Sequence, residues 1–246
     1  MIGLSYTLAK FKFKLRNEGS YLGIIWYLLN PLFFFTLLFL IFKDRMGNEI
    51  LQYPLYLLVG IIMFNFFQSI TSESANAILH NRGLIKSIKF PHESLILSNL
   101  IKVLFSHFFE MIILIIFLII SGVNPIFIIF YPIVLLFFCL FIYGISLVLS
   151  TVTVYLVDFG NIWGFITSMM WFATPIFYAI GGQTRLFILN FFNPLYYFIT
   201  LARDIIIYNK IPELWVISGA VMFSLMSLTI GLFMFNKSKR KFAEKI

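Results

Sequence analysis

The polar residues that could do chemistry within the apolar parts of this sequence are few. His107 and Glu110 lie three residues apart in one apolar run, so on a helix they share a face and can pair. An ionisable residue inside a membrane is by default a candidate for function. A structural pair between packed helices explains the same spacing, and both interpretations of His107 and Glu110 stay open.

Motifs for nucleotide and metal chemistry are absent from the sequence. It has no G-x-x-x-x-G-K-[ST] phosphate-binding loop, no H-E-x-x-H pair and no Cys/His cluster with metal-ligand spacing. Its single cysteine, Cys139, cannot form an intramolecular disulfide. We therefore expect no catalytic residue, no metal site and no cofactor in this chain.

A stripe of aromatic and hydroxyl side chains is predicted in the fifth apolar run. Its members follow the helical spacing i, i+4, i+7, i+11 and are Thr167, Trp171, Thr174 and Tyr178. Flat aromatic faces suit the apolar faces of sugar rings, and hydroxyl groups suit their edges. Trp26 and Tyr27 in the first run add to this candidate substrate path. An interfacial belt or ordinary packing is the alternative explanation for each aromatic residue.

The elements that must position these residues are apolar helices. The chain has 246 residues, 61% of them hydrophobic and only 11% charged, so most of it lies in lipid. Six runs approach or exceed the roughly 20 residues that cross a membrane. They are 24–42, 53–70, 103–121, 126–155, 162–180 and 214–235. The sequence predicts a single-domain, all-α integral membrane protein with six transmembrane helices over residues 1–246.

The distribution of Lys and Arg predicts the orientation. Thirteen of the 18 basic residues fall in the N-terminal arm, in 73–102 and in the C-terminal tail. Basic loops face the cytoplasm, which places both termini there. Because the net charge of +8 is concentrated at span ends, it indicates contact with anionic membrane lipids and no nucleic acid.

Three segments outside the spans have their own patterns. Residues 1–23 predict an interfacial helix with apolar residues on one face and lysines off it, although their alternation also fits a strand. Residues 76–93 predict a short basic helix that ends at Phe90-Pro91 and that a partner grips. A solvated basic loop is the alternative.

Residues 181–213 hold two apolar pieces too short to cross, separated by Asn193-Pro194, and predict two external re-entrant helices or a surface loop.

Four motifs, spread in order over nearly the whole chain, are similar to those of one known family. They are Leu22-Gly23-Ile24-Ile25-Trp26-x-x-x-Asn30-Pro31, Asn81-Arg82-Gly83-Leu84-Ile85-Lys86-x-x-Lys89-Phe90-Pro91, Trp171-Phe172-Ala173-Thr174-Pro175-Ile176-Phe177-Tyr178 and Asn193-Pro194-Leu195-Tyr196-Tyr197-Phe198. Together they resemble ABC-2-type permeases that export O-antigen, capsule or teichoic acid. The sequence departs from that family where Val157, instead of an arginine, precedes Asp158.

The resemblance implies a transport subunit in the cytoplasmic (inner) membrane of a bacterium, and not an enzyme. It implies a homodimer that works with two copies of a separate ABC ATPase, which binds ATP and Mg²⁺, and a lipid-linked polysaccharide as the substrate. The residues assigned to ATPase coupling are Arg82, Leu84, Ile85, Lys86, Phe90 and Pro91, and those of the re-entrant motif are Asn193, Pro194, Tyr196 and Tyr197. Export of a drug, lipid or peptide is one alternative, and a membrane-embedded glycan-processing enzyme is another.

Overall fold

The structure is a computed structural model that describes residues 2–18, 25–47, 49–181 and 183–245. Within these ranges the chain forms helices and no strands, which confirms the all-helical prediction there. The helices are α1 Ile2–Asn17, α2 Ile25–Met46, α3 Tyr53–Ala75, α4 Ala77–His80, α5 Arg82–Ser87, α6 Glu93–Ile120, α7 Tyr131–Tyr155, α8 Phe159–Ala173, α9 Thr184–Phe191, α10 Pro194–Ile206, α11 Leu214–Ser238 and α12 Phe242–Lys245. Short 3₁₀ helices, Pro125–Phe130 and Lys239–Lys241, precede α7 and α12.

Four helical stretches of the described chain are long and apolar enough to cross a membrane. They are Tyr53–Ala75, Glu93–Ile120, Pro125–Tyr155 and Leu214–Lys241. The helix α3 is the central one, because its apolar side chains are buried almost all round, whereas most of the surface of the other three stretches is free to face lipid. The protein is therefore a multi-pass membrane protein.

The fifth predicted span is helical over only part of its length. We expected a helix over 162–180, but α8 begins at Phe159 and ends at Ala173. The cause is Pro175, which has no backbone donor and pushes the residue before it out of the helical region. Thr174 accordingly has extended backbone angles, φ −85° and ψ 138°. The expectation that the fifth-run stripe lies on one helix is wrong, since Thr174 and Tyr178 lie beyond the end of α8.

The predicted helix over 76–93 is two short helices, α4 and α5, followed by a non-helical connection. The chain leaves helical geometry at Asn81, whose side-chain amide donates to the carbonyl oxygen of Ala77 at 2.7 Å. Such local bonds from asparagine compete with the helical ladder. A second break follows at Ile88, which is extended, and α6 begins after Pro91. The single helix was therefore a wrong prediction.

The long helices pack closely where small residues meet. On α7, a Cβ atom added at Gly144 would lie 2.3 Å from the backbone of Ser227 on α11. One added at Gly231 would lie 2.3 Å from the carbonyl oxygen of Gly144. Ser227 also donates its hydroxyl proton to the carbonyl oxygen of Phe141 at 3.1 Å. Small residues and interhelical hydrogen bonds are what hold helices together in lipid, where apolar burial contributes little.

Candidate functional site

A groove of about 410 Å³ lies between α2, α3, α6 and α8. Its lining combines large aromatic rings with polar groups, which is unusual at the depth of apolar helices. The aromatic members are Trp26, Phe34, Phe66, Trp171 and Phe172, and the polar ones are Arg16, Asn30, Asn65, Gln68, Ser69, Ser106, Glu110 and Ser168. The structure thus brings together residues of the first, second, third and fifth apolar runs along one surface.

Trp171 is the stripe residue that faces this groove. Its ring meets Phe64 of α3 edge to face, with centroids 4.8 Å apart, and Phe34 of α2 at 6.2 Å. These contacts limit the freedom of the indole while leaving part of it on the groove surface. Trp26, which is half exposed, lines the same groove from α2. The side chain of Tyr27 lies outside the described residues.

The hydroxyl members of the stripe do not face the groove. Thr167 is fully buried and donates to the carbonyl oxygen of Gly164 at 3.0 Å, while Gln68 approaches its oxygen at 3.4 Å. Thr174 is also fully buried and accepts from the amide of Asn193 at 2.9 Å. Tyr178 donates its phenolic proton to the carbonyl oxygen of Ala173 at 2.8 Å. In this structure Thr174 and Tyr178 stabilise the helix break.

The extended segment after α8 has its carbonyl groups satisfied by side chains of α3 and α10. The hydroxyls of Tyr53 and Tyr56 donate to the carbonyl oxygens of Phe177 and Tyr178, at 3.1 and 2.9 Å. The guanidinium of Arg203 donates to the carbonyl oxygens of Pro175 and Ile176. Irregular backbone at membrane depth is tolerated only when its polar groups are paired in this way.

Arg203 is the most important residue that the sequence analysis missed. It is 97% buried and donates to the carbonyl oxygens of Pro175 at 2.7 Å, Ile176 at 2.8 Å and Tyr56 at 3.0 Å. Its guanidinium also stacks on the Tyr56 ring, 3.3 Å from the centroid. Room for it exists because α3 has Gly60 there, where a Cβ would lie 2.6 Å from Nη2. The available signal was an arginine in a short, strongly amphipathic helix.

The Asn-Pro motif begins α10 as predicted. The Asn193 side chain accepts a hydrogen bond from the Leu195 amide at 3.1 Å, and Pro194 occupies the first turn. Tyr197 is buried and donates to the Phe191 carbonyl oxygen at 2.8 Å, and Tyr196 stacks on Trp215 of α11. These residues hold α9, α10 and α11 together.

His107 and Glu110 do form a pair. The Nδ1 atom of His107 lies 3.1 Å from Oε2 of Glu110, and its Nε2 atom lies 2.7 Å from the hydroxyl of Tyr131 on α7. That hydroxyl also lies 3.2 Å from the sulfur of Met63 on α3. His107 is buried, whereas Glu110 lines the groove. The pair therefore links the groove wall to the interface of three helices, and both of its possible roles are compatible with this position.

The residues assigned to ATPase coupling divide between an inner and an outer face. Ile85 is buried and Phe90 is partly buried, both in a small core formed with α4, α6, α7, α11 and α12. Leu84 is 44% exposed, and Arg82, Lys86 and Pro91 are exposed as well. Ile85 already packs in this chain's own core, so the prediction that a partner docks through it is wrong. Docking through the partly buried Phe90 stays a prediction.

The C-terminal tail packs against the buried face of α5. Phe242 of α12 is fully buried in the same small core as Ile85. Lys239 forms an ion pair with Glu93 at the start of α6, with a distance of 2.6 Å. The basic composition of this tail predicts the side of the membrane on which it lies but does not indicate where it packs.

A second polar cluster that the sequence analysis missed lies near the Ala75 end of α3. Glu73 forms ion pairs with Lys102 of α6 and with Arg16 of α1, the latter at 3.9 Å. Lys12 of α1 donates to the side chains of Ser98 and Asn99 at 2.9 and 2.7 Å. The sequence predicted only that Lys12, Arg16 and Lys102 flank spans on the cytoplasmic side. Their convergence with Glu73 depends on how α1 packs along α6.

Comparison with known proteins agrees with this architecture. Residues 4–207 match the protein family described as ABC-2 type transporter. The chain is 28% identical to an O-antigen export system permease protein RfbA of Klebsiella pneumoniae, over 94% of this chain and 90% of that protein. It is 24% identical to a protein of the same name from Myxococcus xanthus, over 99% of this chain and 95% of that protein. The family match covers most of the sequence, and the chain belongs to the ABC-2 type transporter family.

Proposed function

We propose that this protein is the permease subunit of an ABC exporter that moves a lipid-linked cell-surface polysaccharide, such as O-antigen, across the cytoplasmic membrane. Two permease chains form a homodimer, and two copies of a separate ATPase subunit supply the energy. The names of the relatives from Klebsiella and Myxococcus support this assignment. ATP and Mg²⁺ bind the ATPase, since the permease sequence has no phosphate-binding loop.

The proposed topology has six crossings with both termini in the cytoplasm. Helix α2 and helix α8 complete the set begun by the four long stretches. Helix α8 has 15 residues and so spans about 22 Å, which the extended segment after it lengthens. Helices α9 and α10 then form a re-entrant pair at the outer face. A cysteine introduced at Thr184 or Asn209 should react with a label that is added from outside the cell. Labelling from the cytoplasm alone would contradict this placement.

The lining of the groove is the observation that supports a polysaccharide as the substrate. Its aromatic rings, led by Trp26 and Trp171, offer flat faces to sugar rings, while Gln68, Ser168 and Glu110 offer hydrogen-bonding groups to sugar hydroxyls. A lipid or an apolar drug has too few polar groups to pair with that density of polar side chains. The groove therefore fits a polar, ring-containing cargo that passes along a lipid-facing surface.

Replacement of Trp171 by alanine tests this path. The Trp171→Ala chain should insert and co-purify with its ATPase but give much less surface glycan, measured by a glycan-specific antibody on intact cells. The matched control is Phe233→Ala, which removes an exposed aromatic ring from α11 away from the groove. Normal export by Trp171→Ala would show that this ring only packs and that the groove is not the path.

The exposed face of α5 and the residues after it form the proposed ATPase dock. Leu84 and Ile88 are exposed apolar side chains, 44% and 56% exposed, and Arg82, Lys86 and Lys89 surround them. Apolar anchors contribute most of the energy of such interfaces, and charges at the rim mainly set orientation and the rate of encounter. The dock therefore depends on Leu84 and Ile88 more than on the lysines.

Substitution of Leu84 distinguishes this dock from a solvated basic loop. Leu84→Asp should reduce ATPase co-purification and surface glycan while the permease remains folded, because the side chain is 44% exposed and the added charge can reach water. Lys86→Ala should have a smaller effect. Ile85→Asp is the contrasting variant, since it buries a charge in this chain's own core and should lower the yield of folded permease. Normal co-purification of Leu84→Asp would exclude the dock.

A further inference from the structure

A second, smaller core lies beside the proposed ATPase dock, apart from the main core of the membrane helices. We call it the tail core, because the C-terminal tail helps to form it. Six helices each contribute one or two buried apolar side chains. They are Ile78 of α4, Ile85 of α5, Leu95 and Ile96 of α6, Leu147 and Val154 of α7, Phe235 of α11 and Phe242 of α12. All six residues of α5 are described, and Ile85 is the one whose side chain is buried, so α5 is anchored in the protein through the tail core.

Helix α12 lies between α5 and the membrane helices. Among the described residues, α5 packs mainly against α12 and against its chain neighbour α4, and α12 packs in turn against α7. Phe242 is fully buried, and its ring meets Phe235 of α11 edge to face with centroids 5.2 Å apart. The ring of His92, just before α6, lies 6.1 Å from that of Phe242. The tail therefore joins α5 to α7, to α11 and to the start of α6.

An ion pair fixes the tail to α6. Lys239 donates from Nζ to Oε1 of Glu93, the first residue of α6, at 2.6 Å. The side chain of Glu93 is only 12% exposed, and a carboxylate at that burial is costly without a counter-charge. Further along the same helix, Ser106 and Glu110 line the groove. One rigid element thus begins at the tail and continues as a wall of the groove.

The covalent connections of α5 are less rigid than this packing. The chain leaves helical geometry on both sides of α5, at Asn81 with φ −105° and ψ 23° and at Ile88 with φ −137° and ψ 145°. Non-helical connections of this kind can absorb a displacement as changes in φ and ψ. A close-packed core has little compressibility, so a shift of Ile85 must shift Phe242 or open a cavity. The packed route through the tail core is therefore stiffer than the chain itself.

We propose that the C-terminal tail, residues 239–245, carries movement of the ATPase-bound α5 to the membrane helices, with Phe242 and the Lys239–Glu93 pair as its positioning residues. This inference rests on the proposed function, in which an ATPase binds α5. When the ATPase moves during its cycle, α5 displaces the tail core, and the ion pair passes that displacement to the start of α6. Because α6 forms a wall of the groove, the groove changes shape when the dock moves.

The complex of the full-length permease with its ATPase tests this route through three measurements. They are co-purification of the ATPase, ATP hydrolysis by the purified complex and surface glycan on intact cells. Phe242→Ala leaves the exposed side chains of the dock in place, so the ATPase should still co-purify and hydrolyse ATP. Surface glycan per purified complex should fall about tenfold, which is within the range by which residues between two sites change their coupling. Phe242→Leu refills much of the space and should restore export.

A double-mutant cycle tests the ion pair, because two residues that act as one unit give non-additive losses. Lys239→Met and Glu93→Gln should each lower surface glycan per complex. The double variant should lose no more than the more severe single variant. The matched control is Lys241→Met, which removes an exposed cation from the same 3₁₀ helix and should leave export unchanged.

Parallel loss of co-purification, hydrolysis and glycan in Phe242→Ala would overturn the inference, because the tail would then only stabilise the dock. Normal surface glycan per complex in Phe242→Ala would overturn it as well. So would equal losses in Lys239→Met and Lys241→Met, or losses that multiply in the double variant. If one of these results appears while Trp171→Ala still abolishes surface glycan, this inference fails and the proposed function stands.

Discussion

Replacement of Arg203 by methionine tests whether side chains stabilise the helix break after α8. Methionine keeps much of the length of the side chain but donates no hydrogen bond. The carbonyl oxygen of Ile176 then loses its side-chain donor, and that of Pro175 keeps only the long contact of 3.4 Å from the Tyr56 hydroxyl. The stacking of the guanidinium on Tyr56 is lost as well.

The expected loss of stability follows from these contacts. Each charge-assisted hydrogen bond contributes about 1.5–3 kcal/mol, so loss of the two to the helix break, at Pro175 and Ile176, costs roughly 3–6 kcal/mol. The bond to the Tyr56 carbonyl oxygen, which lies within α3, is lost in addition. Removing a buried charge offsets part of that loss. We therefore expect the free energy of unfolding of Arg203→Met to fall by about 3 kcal/mol. Arg203→Lys should lose less, since one ammonium can still reach one of the two carbonyl oxygens but cannot reproduce the fork.

Cys139 offers a direct assay for this loss. It is the only cysteine and is partly buried, so its reaction with a thiol-specific fluorophore during heating reports unfolding. The matched control is Arg185→Met, which removes an exposed arginine from α9. An unfolding midpoint of Arg203→Met equal to those of the wild type and the control would refute the argument that Arg203 stabilises the break.

Three further predictions concern other parts of the fold. Gly144→Ala should reduce the yield of folded protein in size-exclusion chromatography, because the added Cβ meets the α11 backbone. The control Gly164→Ala should leave the yield unchanged, because Gly164 has open space around it. Equal yields of the two variants would exclude close packing of α7 against α11 at Gly144. His107→Leu should cost about 2–3 kcal/mol by leaving Glu110 unpaired, and an unchanged melting midpoint would contradict this. The pKa of Lys12 is about 8 in the folded chain, against an ordinary value of 10.5 that applies to the unfolded chain. Between these two pH values the unfolded chain binds more protons than the folded one, so the stability of the wild type should rise with pH relative to that of Lys12→Met. A constant difference between the two melting midpoints from pH 7 to 10 would oppose it.

Several features of this protein could be predicted from sequence because they depend on local chemistry. Long apolar runs must be helices in lipid, since no other structure satisfies their backbone groups without closing a barrel. The start of α10 at Asn193-Pro194 was predictable, because an asparagine cap and a proline in the first turn act within one turn. The pairing of His107 with Glu110 followed from their helical spacing alone.

The errors in the sequence analysis arose where a local signal was outweighed by longer-range geometry. The stripe from Thr167 to Tyr178 assumed one continuous helix, although Pro175 within it was visible. The amphipathic pattern of 76–93 indicated that Ile85 is covered but could not show that it is covered by this chain's own core, which includes Phe242 of α12. A pattern of burial identifies the face that is covered and does not identify what covers it.

The sequence by itself determined the helical class, the apolar spans and the family motifs, because each is set by residues within a few turns of one another. Only the tertiary structure decided which polar groups meet. Arg203 and Tyr56 are 147 residues apart, and Lys12 and Asn99 are 87 apart, yet each pair forms hydrogen bonds. Contacts at such separation depend on how the helices pack, and packing in lipid follows from the fit of small residues and buried polar groups across many helices at once.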